Sequence, residues 1–349
     1  MGSTTPPLDP QVEEEYHDMT AKLDKLAKQN LDLLTSGNFA DAEIVCQGKT
    51  WKVHRLILRS RCAWFEKAFT NSWKEGETGQ VHLEEETPEQ VTELLKYIYS
   101  CRYAPALAPT AKCISAAILE SNVALWYSAD FFLLPDLKAD IHEYLLNRFS
   151  ATLHFFHDFS LSLATPGGIW SNNVHHELKD DLRGFFVDFS RALVKIYKIP
   201  RARETQKLFA IFACGLRENL PAQTMWSLME TVPKFQKDVS VVLIALHFPN
   251  ATNSDFVSYG LKALYVDSAS DSCSTWSDEG SGSFQCAGCD TTKSSGVLTR
   301  SGQGAIWAMT LDPFSMGTRK WCDECAFGSI KFRLQILIKR WPRGLEPSN

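Results

Sequence analysis

Four cysteines in the last fifth of the chain are spaced for metal chemistry. Cys286-Ala-Gly-Cys289 is followed, after a 32-residue spacer, by Cys322-Asp-Glu-Cys325. A C-x2-C turn presents two thiolates on one side, and two such turns fill the tetrahedral sphere of Zn2+. With four protein ligands no open position remains for catalysis, so the expected role is structural zinc. The spacer exceeds the usual 15–20 residues. It holds Ile306, Trp307, Met309, Leu311 and Phe314, enough apolar material for a small hairpin. The alternative is a thioredoxin-like redox role for one pair, which lacks its accompanying βαβ pattern.

Other chemistry-bearing residues carry weaker signals. His175-His176, with His154 and His157, could chelate a metal, but adjacent histidines on a loop rarely converge on one ion without further acidic or cysteine ligands. Cys46, Cys62, Cys101, Cys113, Cys214 and Cys273 are scattered and are expected to be buried small hydrophobes. No nucleophile–base constellation or nucleotide-binding loop stands out, so the chain is read as non-catalytic.

The elements that position these residues begin with composition. A chain of 349 residues with 44% hydrophobic and 11% aromatic content has the material for about two domains with buried cores. The net charge of −5 argues against tight nonspecific nucleic-acid binding. The N-terminal MGSTTPPLDPQVEEEYHD is polar and acidic, unlike a signal peptide, and the apolar run VVLIAL is too short to span a bilayer. The expectation is a soluble protein of the cytoplasm, the nucleus or both, in which the Asn250-Ala-Thr252 sequon is accidental.

The stretch from Asn38 to Tyr103 is the most strongly patterned. Ile44 and Cys46, then Trp51 and Val53, suit two strands flanking a tight turn at Gln47-Gly48-Lys49. At His54 the period changes to about 3.6. Leu56, Ile57, Ala63, Trp64, Phe65, Ala68 and Phe69 then suit two short helices broken near Ser60-Arg61. Gln80-Val81-His82-Leu83 is a third strand candidate. In TPEQVTELLKYIYS, Thr87 and Gln90 form a capping box, Pro88 takes the first helical position, and Val91, Leu94, Leu95 and Ile98 make one apolar stripe.

This succession resembles the BTB/POZ domain. The resemblance rests on Asp41 before the first strand, His54-Arg55 opening the helical part, Phe65 and Phe69 within it, and the close YIYSCRY. It continues through NVALWYSADFFLLPDLKADIHEYLLNRF, spans roughly residues 30 to 150, and in wording looks most like BTB proteins of fungi. It implies an α+β module, a small sheet flanked by helices, that binds other proteins and homodimerises. The helical pattern from Gln11 to Leu34, with Tyr16, Met19, Leu23 and Leu26 in register, then either packs on a partner subunit or on its own domain.

The resemblance also implies sites. Asp41, His54 and Arg55 match positions facing a polar pocket near the dimer interface in some members. A buried Asp41 carboxylate would need a partner, which Arg55 could supply bidentately; alternatively Asp41 caps a turn and His54 is a satisfied core histidine. Trp73-Lys74-Glu75 falls where BTB adaptors that bind a cullin scaffold carry a hydrophobic–any–acidic motif. A tryptophan in the polar loop FTNSWKEGETG is either an exposed interface anchor or folded back over the domain's own core.

The organisation expected is therefore a tail and helix over 1–28, a BTB/POZ domain over 29–150, an α-helical extension over 151–265, a Ser-, Gly- and acid-rich linker over 266–283, and a small zinc-binding module over 284–345. The extension shows aromatic stripes (Phe185, Phe186, Phe189, Leu193, Ile196, Tyr197; Leu208, Phe209, Phe212, Leu216; Met225, Trp226, Leu228, Met229) read as core, and no Kelch, MATH or tandem-finger signature. After the second cysteine pair, Ile330, Phe332, Leu334, Ile336 and Ile338 alternate like a strand, while Ile330, Leu334, Leu337 and Trp341 fit a helix face. The helix would resemble GATA-type fingers, whose spacer is much shorter. Seven basic residues against three acidic ones from Arg319 onward make nucleic-acid contact conceivable, though a charge-solvated module is commoner. Two functions follow: a BTB adaptor presenting substrates to a cullin-based ubiquitin ligase, or a homodimeric BTB scaffold or transcription-associated regulator whose zinc module contacts protein or DNA.

Overall fold

The computed structural model describes residues 10–70, 73–105, 108, 118–163, 176–216 and 220–247, together with 283–285, 292–294, 309–311, 318–320, 330–331, 334–335, 337–339 and 341. The chain divides into two compact units, residues 1–107 with 121–143 and residues 108–120 with 144–349.

The first unit opens with α1 (Pro10–Ser36), followed by the hairpin β1 (Ala42–Cys46) and β2 (Lys49–Val53). The hairpin loop is the two residues Gln47 and Gly48, both at positive φ (46° and 84°). That conformation matches strand twist and accounts for the glycine. Next come α2 (Arg55–Arg61), α3 (Ala63–Ala68), α4 (Lys74–Thr78), β3 (Gln80–Leu83) and α5 (Pro88–Ser100). The sheet order is β2-β1-β3, with β1 antiparallel to β2 and parallel to β3. Ala42, Ile44 and Cys46 of β1 alternate inward with Val81 and Leu83 of β3.

The break between α2 and α3 falls at Cys62, in extended conformation, just after the Ser60-Arg61 break expected. Leu56, expected in the apolar set, is 79% exposed, whereas Leu58, Phe65 and Phe69 are buried. In α5 the Thr87–Gln90 capping box is formed, and Val91, Leu94, Leu95 and Ile98 are all buried. Then come α6 (Leu119–Phe131) and α7 (Pro135–Leu163). Phe65 stacks on Phe69 and Phe132, and Trp64 meets Phe131 and Phe132. Cys62 Sγ donates to Phe132 O at 3.2 Å.

The units also divide inside α7, between Glu143 and Tyr144. The second unit contains α8 (His176–Tyr197), α9 (Arg203–Gly215), α10 (Ala222–Thr231) and α11 (Pro233–His247). Residues 205–215 of α9 are all buried, so α9 is enclosed on every side rather than along a stripe. Phe149 stacks on Phe212 at 3.9 Å between ring centroids and meets Phe209 edge-on at 5.0 Å. In α10 the buried side chain is Leu228, while Trp226 faces solvent.

Two short hairpins follow: β4 (Ser283–Gln285) with β5 (Thr292–Ser294), and β6 (Met309–Leu311) with β7 (Thr318–Lys320). The described residues from 330 to 339 are helical, which decides the helix–strand ambiguity there. Ile330, Leu334, Leu337, Ile338 and Trp341 are buried, and Trp341 lies under Arg203 and Lys207, at 5.2 and 5.8 Å from its ring centre. Among the described residues no helix is long and apolar enough to cross a membrane.

Candidate protein-interaction site

Trp73 stands at the N-cap of α4, and its carbonyl accepts from Gly76 N at 3.0 Å and Glu77 N at 3.2 Å. Its side chain is 60% exposed. Lys74 beside it is exposed, Glu75 is half-buried, and Gly76 is buried. A five-residue helix does not hold itself in water. The chain closes it with Gly79 at φ 74°, whose N–H donates to Glu75 O at 2.9 Å and whose carbonyl accepts from Glu43 N of β1 at 2.8 Å. Trp73 and Glu75 thus sit within one turn of each other, a large apolar anchor and a carboxylate on a surface fixed to the sheet. An exposed tryptophan is among the residue types enriched at interface hot spots.

Asp41 and Arg55 meet, but through different atoms from a side-chain fork. Asp41 is exposed. Its Oδ1 accepts from the backbone N–H of Arg55 at 2.7 Å, capping the first residue of α2 from 14 positions upstream, just before β1. The guanidinium instead donates from Nε to Asp41 O at 3.2 Å and from Nη1 to Gly76 O at 2.9 Å, and it lies over the Phe69 ring at 5.4 Å. His54 points elsewhere. It is buried, with Nδ1 2.8 Å from Tyr99 Oη and Nε2 2.7 Å from Asn38 O. Burial pushes the Tyr99 hydroxyl up to about 12, so it remains a donor at neutral pH. The three residues therefore do not converge on one pocket. Asp41 does line a polar hollow of about 490 Å3, together with Phe39, Glu43, Lys52 and Gln80.

Some exposed features were not singled out from sequence. Phe39 is 90% exposed at φ 63°. A groove of about 510 Å3 runs between α8 and α10, edged by Arg183 and Arg191 with Phe186 and Leu228 among its lining. Nothing local flags the groove, whereas the α1 register read from sequence is found with Met19, Leu23 and Leu26 each more than half exposed.

Cys286, Cys289, Cys322 and Cys325 lie outside the described residues, as do the Asn250 sequon, His175 and all of the linker except Ser283. Cys286 and Cys289 fall in sequence between the paired Gln285 and Thr292, and Cys322 follows two residues after Lys320 at the end of β7. Among the described residues no group of three His, Cys, Asp or Glu could hold a metal, and His154 is buried. Cys46, Cys62 and Cys214 are buried, but Cys101 is exposed, at the αL end of α5. Burial raises the thiols of Cys46 and Cys62 above their ordinary value.

Comparison with known proteins agrees with this layout. Residues 31–148 match the family profile of the BTB/POZ domain. This chain contains a BTB/POZ domain. Over 69 residues, 20% of the chain, it is 33% identical to Kelch-like protein 40 of Xenopus tropicalis, a match covering 11% of that protein. Over 71 residues it is 35% identical to BTB/POZ domain-containing protein 9 of Bos taurus and 34% identical to that of Homo sapiens, covering 12% of each. The match thus spans only about a tenth of the curated relatives' length. Among solved structures, the BTB domain of zebrafish PATZ1 matches with 18% identity and a TM-score of 0.26, covering 35% of this chain and 86% of that one. The BTB/POZ assignment takes in the sheet, α2 to α6 and the α4 surface that carries Trp73.

Proposed function

We propose that this protein is a non-catalytic adaptor whose BTB/POZ domain docks a cullin scaffold through Trp73 and Glu75, while the second unit presents a substrate for ubiquitination. The observation that carries this reading is the exposed Trp73 indole at the start of α4, two residues before Glu75, at the position where cullin-binding BTB adaptors carry their hydrophobic–any–acidic motif. Desolvating a large, rigid indole at the centre of an interface is worth about 2 kcal/mol or more, and Glu75 adds directionality to the encounter. The test is calorimetric binding of the full chain to a cullin N-terminal domain. Wild type binds, Trp73→Ala loses affinity at least about tenfold, and Glu75→Ala loses less. A well-folded wild type that does not bind removes the reading for that cullin.

A second reading is a homodimeric scaffold, favoured by the outward Met19, Leu23 and Leu26 of α1. Apolar residues at helical spacing that find no cover in their own domain are suited to a second copy. Light scattering at several concentrations tests for the dimer, and a wild-type dimer that binds no cullin N-terminal domain favours the scaffold over the adaptor.

We further propose that Cys286, Cys289, Cys322 and Cys325 hold one structural zinc. The support is the pair of C-x2-C motifs, each of which follows a short hairpin strand in sequence. Metal analysis of the purified chain should give one zinc per chain, and Cys322→Ser should release it.

A further inference from the structure

We propose that Arg55 is the positioning residue for the docking helix: it pins α4, and with it Trp73, to the chain entering β1, the central strand of the BTB sheet. This deepens the reading of Trp73 and Glu75 as a docking surface and rests on it.

The need for such a brace follows from α4 itself. It has five residues, and its only buried one is Gly76, which has no side chain to pack. The hydrophobic effect therefore contributes little to holding it, and a helix this short has no autonomous stability. What fixes it is a set of polar contacts to its main chain. At its end, Gly79 O receives Glu43 N of β1. At its middle, Gly76 O receives Arg55 Nη1 at 2.9 Å.

Arg55 is placed for this by contacts on every side. Its own N–H is held by Asp41 Oδ1, its Nε by Asp41 O, and its guanidinium face rests against Phe69. A planar fork held at three points is preorganised in a way a flexible ammonium is not. Gly79 completes the fit: a Cβ added there would come within 2.7 Å of Arg55 Nη2. The glycine therefore serves twice, allowing the left-handed φ of 74° and leaving room for the guanidinium. The same side chain thus joins the chain entering β1, α2 and α4. Residues 18 positions apart in sequence, Arg55 and Trp73, become parts of one surface.

The test uses the full chain and two readouts, hydrogen exchange of the backbone amides and affinity for a cullin N-terminal domain. In Arg55→Ala the amides of Gly76, Glu77 and Gly79 exchange at least about tenfold faster, while those of Val91 and Leu95 in α5 are unchanged. Cullin affinity drops about tenfold, and the Arg55→Ala, Trp73→Ala double variant binds no worse than Trp73→Ala alone, because Arg55 acts through Trp73. Unchanged α4 exchange in a folded Arg55→Ala overturns the proposal, as do additive losses in the double variant. If Arg55→Ala loosens α5 as well, Arg55→Lys decides: it keeps the charge and the Asp41 contact to the backbone but loses the fork. Faster exchange confined to α4 then upholds the proposal, and any other pattern overturns it. If wild type binds no cullin, the docking reading fails by itself, and the exchange data still decide whether Arg55 braces α4.

Discussion

Asp188 of α8 caps α6 from a distance: its Oδ2 accepts from Leu119 N at 2.8 Å and its Oδ1 from Glu120 N at 2.9 Å, across a sequence separation of 69 and 68 residues. The carboxylate is buried, and it satisfies two of the amide donors that every helix start leaves open. Asp41 does the same for α2 with a single bond to Arg55. In α5 the job is done locally by Thr87 and Gln90.

Removing the remote cap should destabilise the second unit. Asp188→Ala leaves two N–H groups at the α6 start without an acceptor and is expected to cost about 1–3 kcal/mol, measured by urea unfolding followed by fluorescence. A loss under about 0.5 kcal/mol would mean that water replaces the carboxylate.

The same residue gives a pH signature. Burial raises the Asp188 carboxyl above its ordinary 3.8, although the N–H groups of Glu120 and Leu119 pull it the other way. A carboxyl that holds its proton to higher pH in the folded state than in the unfolded chain loses stability on ionising. Its contribution is therefore largest below 3.8 and declines as pH rises through the native value. The stability difference between wild type and Asp188→Asn should narrow across that window. A difference that widens with pH would contradict the burial argument.

Tyr99→Phe should weaken the BTB/POZ domain. The Tyr99 hydroxyl accepts from His54 N at 2.9 Å and lies 2.8 Å from His54 Nδ1, with both residues buried. Its deletion orphans at least one buried polar atom, expected at about 1–3 kcal/mol and visible as a lower Tm.

Asp238→Asn tests the second unit's buried ion pair. Arg203 donates to Asp238 from Nη1 at 2.5 Å and from Nη2 at 2.8 Å, and Tyr197 Oη donates to the same carboxylate at 2.8 Å. The Asp238 side chain is almost fully enclosed, so the guanidinium would face a neutral amide in a dry site. A loss of about 3–5 kcal/mol is expected in calorimetric unfolding, and Arg203→Lys should recover little, because the fork is the contact.

Gly184→Ala should stabilise the protein. Gly184 lies in the interior of α8, and a Cβ there meets nothing within 4 Å. Helix propensity alone then predicts a gain of about 0.5–1 kcal/mol. A destabilised variant would indicate a close neighbour at that face.

The sequence by itself determined the features whose causes lie within a few residues of one another. The Gln47-Gly48 turn follows from the need for positive φ, the α5 start from Thr87, Pro88 and Gln90, and the α5 core face from the spacing of Val91, Leu94, Leu95 and Ile98. That local pattern is also what made the BTB/POZ domain legible over roughly 30 to 150. The tertiary structure decided what depends on the path of the chain. Whether Trp73 covers a core or meets solvent turns on what α4 packs against. Asp41 reaches the Arg55 backbone rather than its guanidinium because β1 runs past the start of α2. Asp188 finds Leu119 because α8 passes the first turn of α6. From Ile330 to Trp341 both a period of two and a period near 3.6 fit the apolar residues. Helical burial of Leu334, Leu337 and Trp341, with Trp341 against Arg203 and Lys207, settles which period the chain uses. Local preference is a matter of fractions of a kcal/mol per residue, so burial against remote partners chooses between patterns that the sequence leaves even.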